Sequence, residues 1–226
     1  VCENATVYTG YTAEGEEFTG YTVEGGKFVF DVEADTELYC TMTNASFDKF
    51  SGTNALATTN IVVKNLTPAI IVKHAEANIE RQFTFSATEE GAKVFIDWGN
   101  GELQEYAIAY YNNWDPYQTT INGTILGDGT VTIYGDKIHM FDCSYSASYP
   151  VKVTDIDVSA CATLYDLSCY TNEITSLDFT SNAALAKVYA NGNSALNSIT
   201  FAAENAITTL DLNDCGFTTL DLSSCT

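Results

Sequence analysis

Three aspartates, Asp157, Asp178 and Asp221, recur at one fixed offset in a phrase that repeats through the last part of the chain. Thr200 takes the same offset between the second and the third. If the phrase forms stacked strands, these side chains line one sheet face, ~5 Å apart where adjacent. Carboxylates at that spacing repel one another unless water or a cation neutralises them. Calcium takes oxygen ligands, so one reading of Asp157, Asp178 and Asp221 is a calcium row. The plainer reading is a solvated acidic face that needs no cofactor.

A second candidate is the segment YAIAYYNNWDPYQ, from Tyr106 to Gln118. Aromatic faces stack on sugar rings, and amide and carboxylate groups hydrogen-bond hydroxyls. Tyr110, Tyr111, Trp114 and Tyr117 therefore make a candidate ligand platform for a carbohydrate. The competing reading is that these rings pack the joint between two parts of the chain.

The seven cysteines are an odd number and cannot all pair with one another. Cys143 and Cys169 take an apolar slot of the repeated phrase, and Cys161, Cys215 and Cys225 a slot at its corner. All five are expected to be reduced and buried, as small hydrophobes with a weak donor. No C-x-x-C pair occurs and only two histidines are present, which argues against zinc. A bridge between Cys2 and Cys40 stays open. Catalytic signatures are missing: there is no G-x-S-x-G, no H-E-x-x-H and no P-loop. The chain is expected not to be an enzyme.

Composition narrows the partners. Thirty acidic residues stand against nine Lys+Arg, a formal net charge of −21. A field of that sign repels phosphate backbones, so nucleic acid is excluded as a partner, and anionic membrane surfaces with it. No stretch approaches the ~18–20 apolar residues of a membrane span, so no direct membrane insertion is expected. The chain begins at Val1 rather than Met, which suggests that a leader has been removed.

The elements that must position these residues are strands. Proline is scarce, long amphipathic helical periods are missing, and Thr, Tyr, Val, Ile and Phe abound. Residues 1–64 read as a β region, with Gly25-Gly26 marking a hairpin and ELYCTMT and TNIVVKN as strands. Residues 65–127 read as a second, with AIIVKH, RQFTFSA, KVFIDWGNGELQEY and QTTING as strands and Asn100-Gly101 at a tight turn.

Residues 128–226 differ in kind. The phrase runs apolar, two spacers, apolar, one spacer, apolar, two spacers, then a corner residue. From Val153 onward it restarts every ten or eleven residues, at Leu164, Ile174, Leu185, Leu196, Ile207 and Phe217. The corner residues include Cys161, Asn172, Asn182, Asn193, Cys215 and Cys225, with Glu204 read at the same offset. VTIYGD at 131–136 fits a partial earlier copy, and YSASYP at 145–150 an insertion. This is the L-x-x-L-x-L-x-x-N/C-x-L pattern of leucine-rich repeats. Two halves make a coil of 21 or 22 residues, so two parallel sheets should face each other across a thin solenoid. Four to five coils at ~4.8 Å would make a rod roughly 20–25 Å long. A corner Asn should bond the backbone groups that the bend leaves unpaired.

VTDIDVSACATLYDLSCYTNEITSLDFTS, after FIDWGNGELQEY and VTIYGDKI, resembles the leucine-rich-repeat surface proteins of Bacteroidetes, which are similar in style to internalins. IDWGNG resembles the WGDG turn of bacterial PKD-like β-sandwich modules, with Asn100 where Asp is usual. The resemblance implies β-sandwich-like N-terminal regions (1–64, and a PKD-like or Ig-like 65–127) leading into a leucine-rich-repeat solenoid (128–226). It implies an exported protein, secreted or held at the bacterial surface or outer membrane, that binds or adheres to an extracellular protein or glycan. Two alternatives stay open: a spacer that presents other domains of a larger surface assembly, and a polysaccharide-binding accessory protein. Solenoid ends need a polar cap, so the last coil, with Phe217, Leu220 and Leu222, is expected either to self-associate with another copy or to mark a truncation.

Overall fold

Within residues 1–63 the computed structural model describes only the strands named below. It describes 68–112, 115–116, 118–223 and 225 beyond them, with backbone alone at 112, 115 and 116. The chain divides into two units, Val1–Leu66 and Thr67–Thr226. Among the described residues there is no helix, and so none long and apolar enough to cross a membrane.

The first unit contains β1 (Cys2–Glu3), β2 (Thr6–Thr12), β3 (Tyr21–Glu24), β4 (Lys27–Phe30), β5 (Thr36–Thr43) and β6 (Leu56–Val63). They pair antiparallel in two sheets, ordered β1-β4-β3 and β2-β5-β6. Gly25 and Gly26 lie outside the described residues. The strands on either side of them pair as a hairpin, with Glu24 opposite Lys27. The side chains of Cys2 and Cys40 also lie outside the described residues.

The second unit opens with β7 (Pro68–His74), β8 (Ile79–Ala87), β9 (Lys93–Asp97), β10 (Leu103–Ala107), β11 (Tyr111–Asn112), β12 (Asp115–Pro116), β13 (Thr119–Ile125) and β14 (Thr130–Tyr134). It continues with β15 (Ile138–Asp142), β16 (Val153–Asp157), β17 (Asp166–Ser168), β18 (Ser176–Phe179), β19 (Lys187–Tyr189), β20 (Ser198–Phe201) and β21 (Thr209–Asp211). One sheet runs β10-β9-β14-β7-β16 and another β13-β8-β15-β17-β19-β21. Strands from 65–127 and from 128–226 thus share both sheets, and the change in composition near residue 128 is not a break in the hydrogen bonding. VTIYGD forms β14, antiparallel to β7 and β9, and is not a coil.

Period-two alternation builds the layer between these sheets. Along β8 the inward positions are Arg81, Phe83 and Phe85, all at 0 % exposure. Phe83 stacks on Trp98 at 5.5 Å between ring centroids and contacts Phe141 at 5.3 Å. Trp98 lies flat over Gly123 of β13: a Cβ there would come within 2.1 Å of the indole. Trp98 is placed by the turn between β9 and β10, where the Asp97 carboxylate accepts the N–H groups of Gly99, Asn100 and Gly101. Positive φ falls on Gly99 and Gly101, not on Asn100.

Beyond β15 the chain winds as a solenoid of about three turns with coils of ~22 residues. Asp166 is in register with Lys187 and Lys187 with Thr209, steps of 21 and 22 residues. The first step, Met140 to Asp166, is longer because YSASYP is inserted. On the opposite side β18 pairs parallel with β20. The apolar slots point inward as the phrase requires: Leu164, Leu167, Cys169, Ile174, Leu177, Phe179, Leu185, Val188, Ala190 and Leu196 are buried. The last coil is only half-covered. Leu210, Leu212 and Phe217 are partly buried, and Leu220 and Leu222 are exposed.

The corners work through the amide. Asn193 Nδ2 donates to the carbonyls of Cys169 (3.0 Å) and Ala190 (2.8 Å), and its Oδ1 accepts the N–H of Ile174. Asn172 does the same with Cys143, Cys169 and Val153. Each side chain therefore ties its coil to the preceding one. Asn182 donates to the carbonyls of Val158 and Cys161 while its Oδ1 finds no partner among the described residues. Cys215 substitutes in the same column, its thiol donating to the Ala190 carbonyl at 3.3 Å. In the coil containing β20 the corner amide is Asn205, which donates to Ala202; Glu204, read from spacing, is exposed. Cys161 is buried, whereas Cys215 and Cys225, in the last described coil, are half-buried.

Candidate functional site

Asp157, Asp178 and Asp221 have a local task. Each accepts the N–H of the residue two positions on, Ser159, Thr180 and Ser223, at 2.9 Å. Such Asx turns bend the chain out of the strand toward the corner. Asp142 and Asp211 do the same for Ser144 and Asn213 on the other sheet. The Thr180 N–H and hydroxyl, with the Thr200 hydroxyl, hold the Asp178 carboxyl below the usual range; Ser223 does so for Asp221. Thr200 stands directly opposite Asp178 and donates to it at 2.9 Å, so the ladder carries a donor where a third carboxylate would repel. Among the described residues, no group of three or more His, Cys, Asp or Glu is arranged to hold a metal ion.

The aromatic segment is divided. Tyr110 is exposed and bridges Ala87 at the sheet margin. Tyr111 is half-buried and stacks on His139 of β15 at 4.6 Å, which stacks in turn on Tyr165 at 4.9 Å. Tyr111 thus packs the joint. Trp114 and Tyr117 lie outside the described residues.

Register brings together a group that chain order conceals. On the outer face of the six-stranded sheet, Asp142, Ser168, Tyr189 and Asp211 are partners across β15, β17, β19 and β21. The ladder continues past the strand ends, through Cys169 N–H to Tyr189 carbonyl and Thr171 N–H to Asn191 carbonyl. The next rung is therefore Ser144, Tyr170, Asn191 and Asn213. Ser168, Tyr170, Tyr189 and Asn191 line an open groove of about 360 Å³. The tyrosines occupy one diagonal of this two-by-two block, and the hydroxyl and amide the other. Asp142 and Asp211 flank it.

Backbone strain sits at the groove's edge. Thr171, Gly192 and Asp214, one per coil and each just before the corner residue, have φ of 58°, 75° and 57°. This left-handed turn leaves Tyr170 and Asn191 outside and sends Asn172 and Asn193 in. A β-branched residue rarely adopts it. Lys152 braces the turn, donating to the Thr171 carbonyl while its ammonium lies 3.8 Å from the centre of the Tyr145 ring. Along the other margin, Lys187 reaches Asp166 at 3.8 Å and lies over Tyr165 at 5.7 Å. Burial raises the Asp166 carboxyl above its usual range, opposed by Lys187. Burial and Lys187 together lower the His139 imidazole.

The sequence candidates did not include Tyr170, Tyr189, Ser168 or Asn191. The signal was present: spacers of the phrase written in columns of 21 place the four together. No protein-family model matches the chain, nor does any curated protein or solved structure.

Proposed function

We propose that this chain is a non-catalytic binding module, exported and held at a bacterial surface, that recognises an extracellular partner through the outer face of its parallel sheet. The observation that carries this reading is the Ser168–Tyr170–Tyr189–Asn191 groove. It presents two aromatic rings and two polar side chains, Ser168 and Asn191, that have no hydrogen-bond partner among the described residues. The coil length, the inward apolar slots and the Asn/Cys corners support kinship with leucine-rich-repeat surface proteins of Bacteroidetes. The Asp97-centred turn that seats Trp98 supports a PKD-like sandwich before them. The test compares wild-type chain with a Tyr170→Ala/Tyr189→Ala/Asn191→Ala variant across arrays of extracellular proteins, peptides and glycans. Binding that the variant loses supports the reading; identical profiles overturn it.

A spacer that presents neighbouring domains is the second reading, favoured by one observation. Among the described residues β21 is an edge strand, and it offers a stacking surface to another coil together with the exposed Leu220 and Leu222. Light scattering that shows a concentration-independent monomer would oppose self-association through that end.

A further inference from the structure

Resting on the binding-face reading, we infer that the groove between the coils of β17 and β19 takes a neutral glycan chain, with consecutive sugar units on Tyr170 and Tyr189. Four observations converge on that ligand class. The lining is uncharged, consisting of two tyrosines, a serine and an asparagine. Its volume of about 360 Å³ is near the low end of the ~300–1,000 Å³ of small-ligand sites. The rings lie on a diagonal of the strand lattice, so one ligand that crosses both must be a chain rather than a single small ring. The hydrogen-bonding groups around them suit hydroxyls: the side chains of Ser168 and Asn191 have no partner among the described residues.

Charge selects among glycans. Asp142 and Asp211 border the groove, and each gives one carboxylate oxygen to the backbone of its own turn. The other oxygen of each has no partner among the described residues and can accept a sugar hydroxyl. The same carboxylates, in a chain of net charge −21, repel sulfated or carboxylated glycans. Lys187 and Lys152, the only Lys or Arg of 138–226, are engaged with Asp166 and with the Thr171 carbonyl. A basic peptide would need carboxylates within the lining, where the structure has aromatic rings, a hydroxyl and an amide.

The groove is also pre-formed. Tyr170 and Asn191 are each followed by a residue in the left-handed turn and then by a buried Asn that bonds the preceding coil. A fixed platform lowers the ordering cost that a shallow site would otherwise carry.

The experiment is affinity electrophoresis of the whole chain through gels containing a soluble neutral glucan, mannan, xylan or galactan. Heparin and an oligo-arginine peptide serve as charged probes. Tyr170→Ala and Tyr189→Ala test the groove, and Leu103→Ala, an exposed change on β10 of the other sheet, is the control. Tryptophan emission confirms that each variant is folded. The expected result is retardation by at least one neutral polysaccharide, insensitive to salt. Each tyrosine change should weaken it by about tenfold or more, and Leu103→Ala should not. Retardation that survives both tyrosine changes, or confined to heparin, overturns the inference. So does a chain that none of the neutral polysaccharides retards. Oligo-arginine binding that the tyrosine changes abolish overturns the glycan while leaving the binding face in place. A chain that no probe retards, with arrays identical for wild type and the triple variant, removes both.

Discussion

Replacing Asn193 by alanine tests the corner mechanism most directly. The side chain is fully buried and serves three backbone groups. Two retain a second partner after the change: the Cys169 carbonyl still accepts from Asn172, and the Ala190 carbonyl from Cys215. The Ile174 N–H keeps none. An orphaned buried donor costs ~1–3 kcal/mol, and each weakened carbonyl ~0.5–1.5 kcal/mol. The sum is about 2–6 kcal/mol, centred near 4, or roughly 10 °C in melting temperature for a unit of this size. Asn193→Cys keeps a donor, as Cys215 does naturally, and should cost about half as much. Asn193→Asp keeps the acceptor but aims a carboxylate at two carbonyls and should cost most. Asn182→Ala should cost less than Asn193→Ala, because the Asn182 Oδ1 has no N–H to abandon. Urea unfolding followed by tryptophan emission is the assay. The two tryptophans, Trp98 and Trp114, both belong to the 67–226 unit, so the signal reports that unit. Asn193→Ala within ~0.5 kcal/mol of wild type, or Asn182→Ala at least as damaging, would refute the reasoning.

Further predictions concern the core and the turns. Gly123→Ala drives a Cβ into the Trp98 indole and should cost ~3 kcal/mol or more, with Trp98 emission shifted to the red. Thr171→Gly releases a β-branched residue from a left-handed turn and should stabilise the chain by ~1 kcal/mol in urea titration. His74 is buried and donates from Nδ1 to the Gly129 carbonyl, and burial lowers its pKa to about 4. Its neutral form is the folded form, so the contribution is complete above the unfolded value of ~6.5 and is lost as pH falls from there to about 4. The loss is on the order of 3 kcal/mol, and a His74→Leu chain should show a flatter stability profile across that window. Burial pushes the Cys143 and Cys161 thiols up to about 12, and the Cys169 thiol also rises. Burial also raises the Cys215 thiol, so iodoacetamide at neutral pH should modify half-buried Cys225 first and Cys215 more slowly in the native state, and leave the three buried thiols intact until unfolding, as peptide mass mapping would show.

Much of the solenoid was legible because its grammar is local. A three-slot apolar phrase with an Asn or Cys corner specifies which side chains enter the coil, and they do. The corner at Asn205 rather than Glu204 escaped because a one-residue lengthening shifts the offset while the amide still reaches its carbonyl. The aspartates were read as a possible cation row because spacing reveals alignment but not the N–H two residues on that each already accepts. Arg81 was not singled out in the sequence, although it alternates with Phe83 and Phe85 along β8. It is buried, donating to the Cys143 carbonyl with its guanidinium over the Phe83 ring. The groove was hidden because Tyr170 and Tyr189 become neighbours only once register is fixed.

The shared sheets have a kinetic consequence. Pairing β7 with β16 joins residues more than eighty positions apart, as with Val72 and Ile156, and pairing β8 with β15 joins Phe85 to Phe141. These are long loop closures, and the chain must make them once. The β15 to β17 step closes 26 residues, and each coil after it closes only 21 or 22, against an edge that already exists. The slow step should therefore belong to the residues before Asp157, with the remaining coils adding quickly in sequence order. Duplicating or removing a coil would then leave the folding rate nearly unchanged, so the length of the outer face can vary without altering how fast the chain reaches its fold.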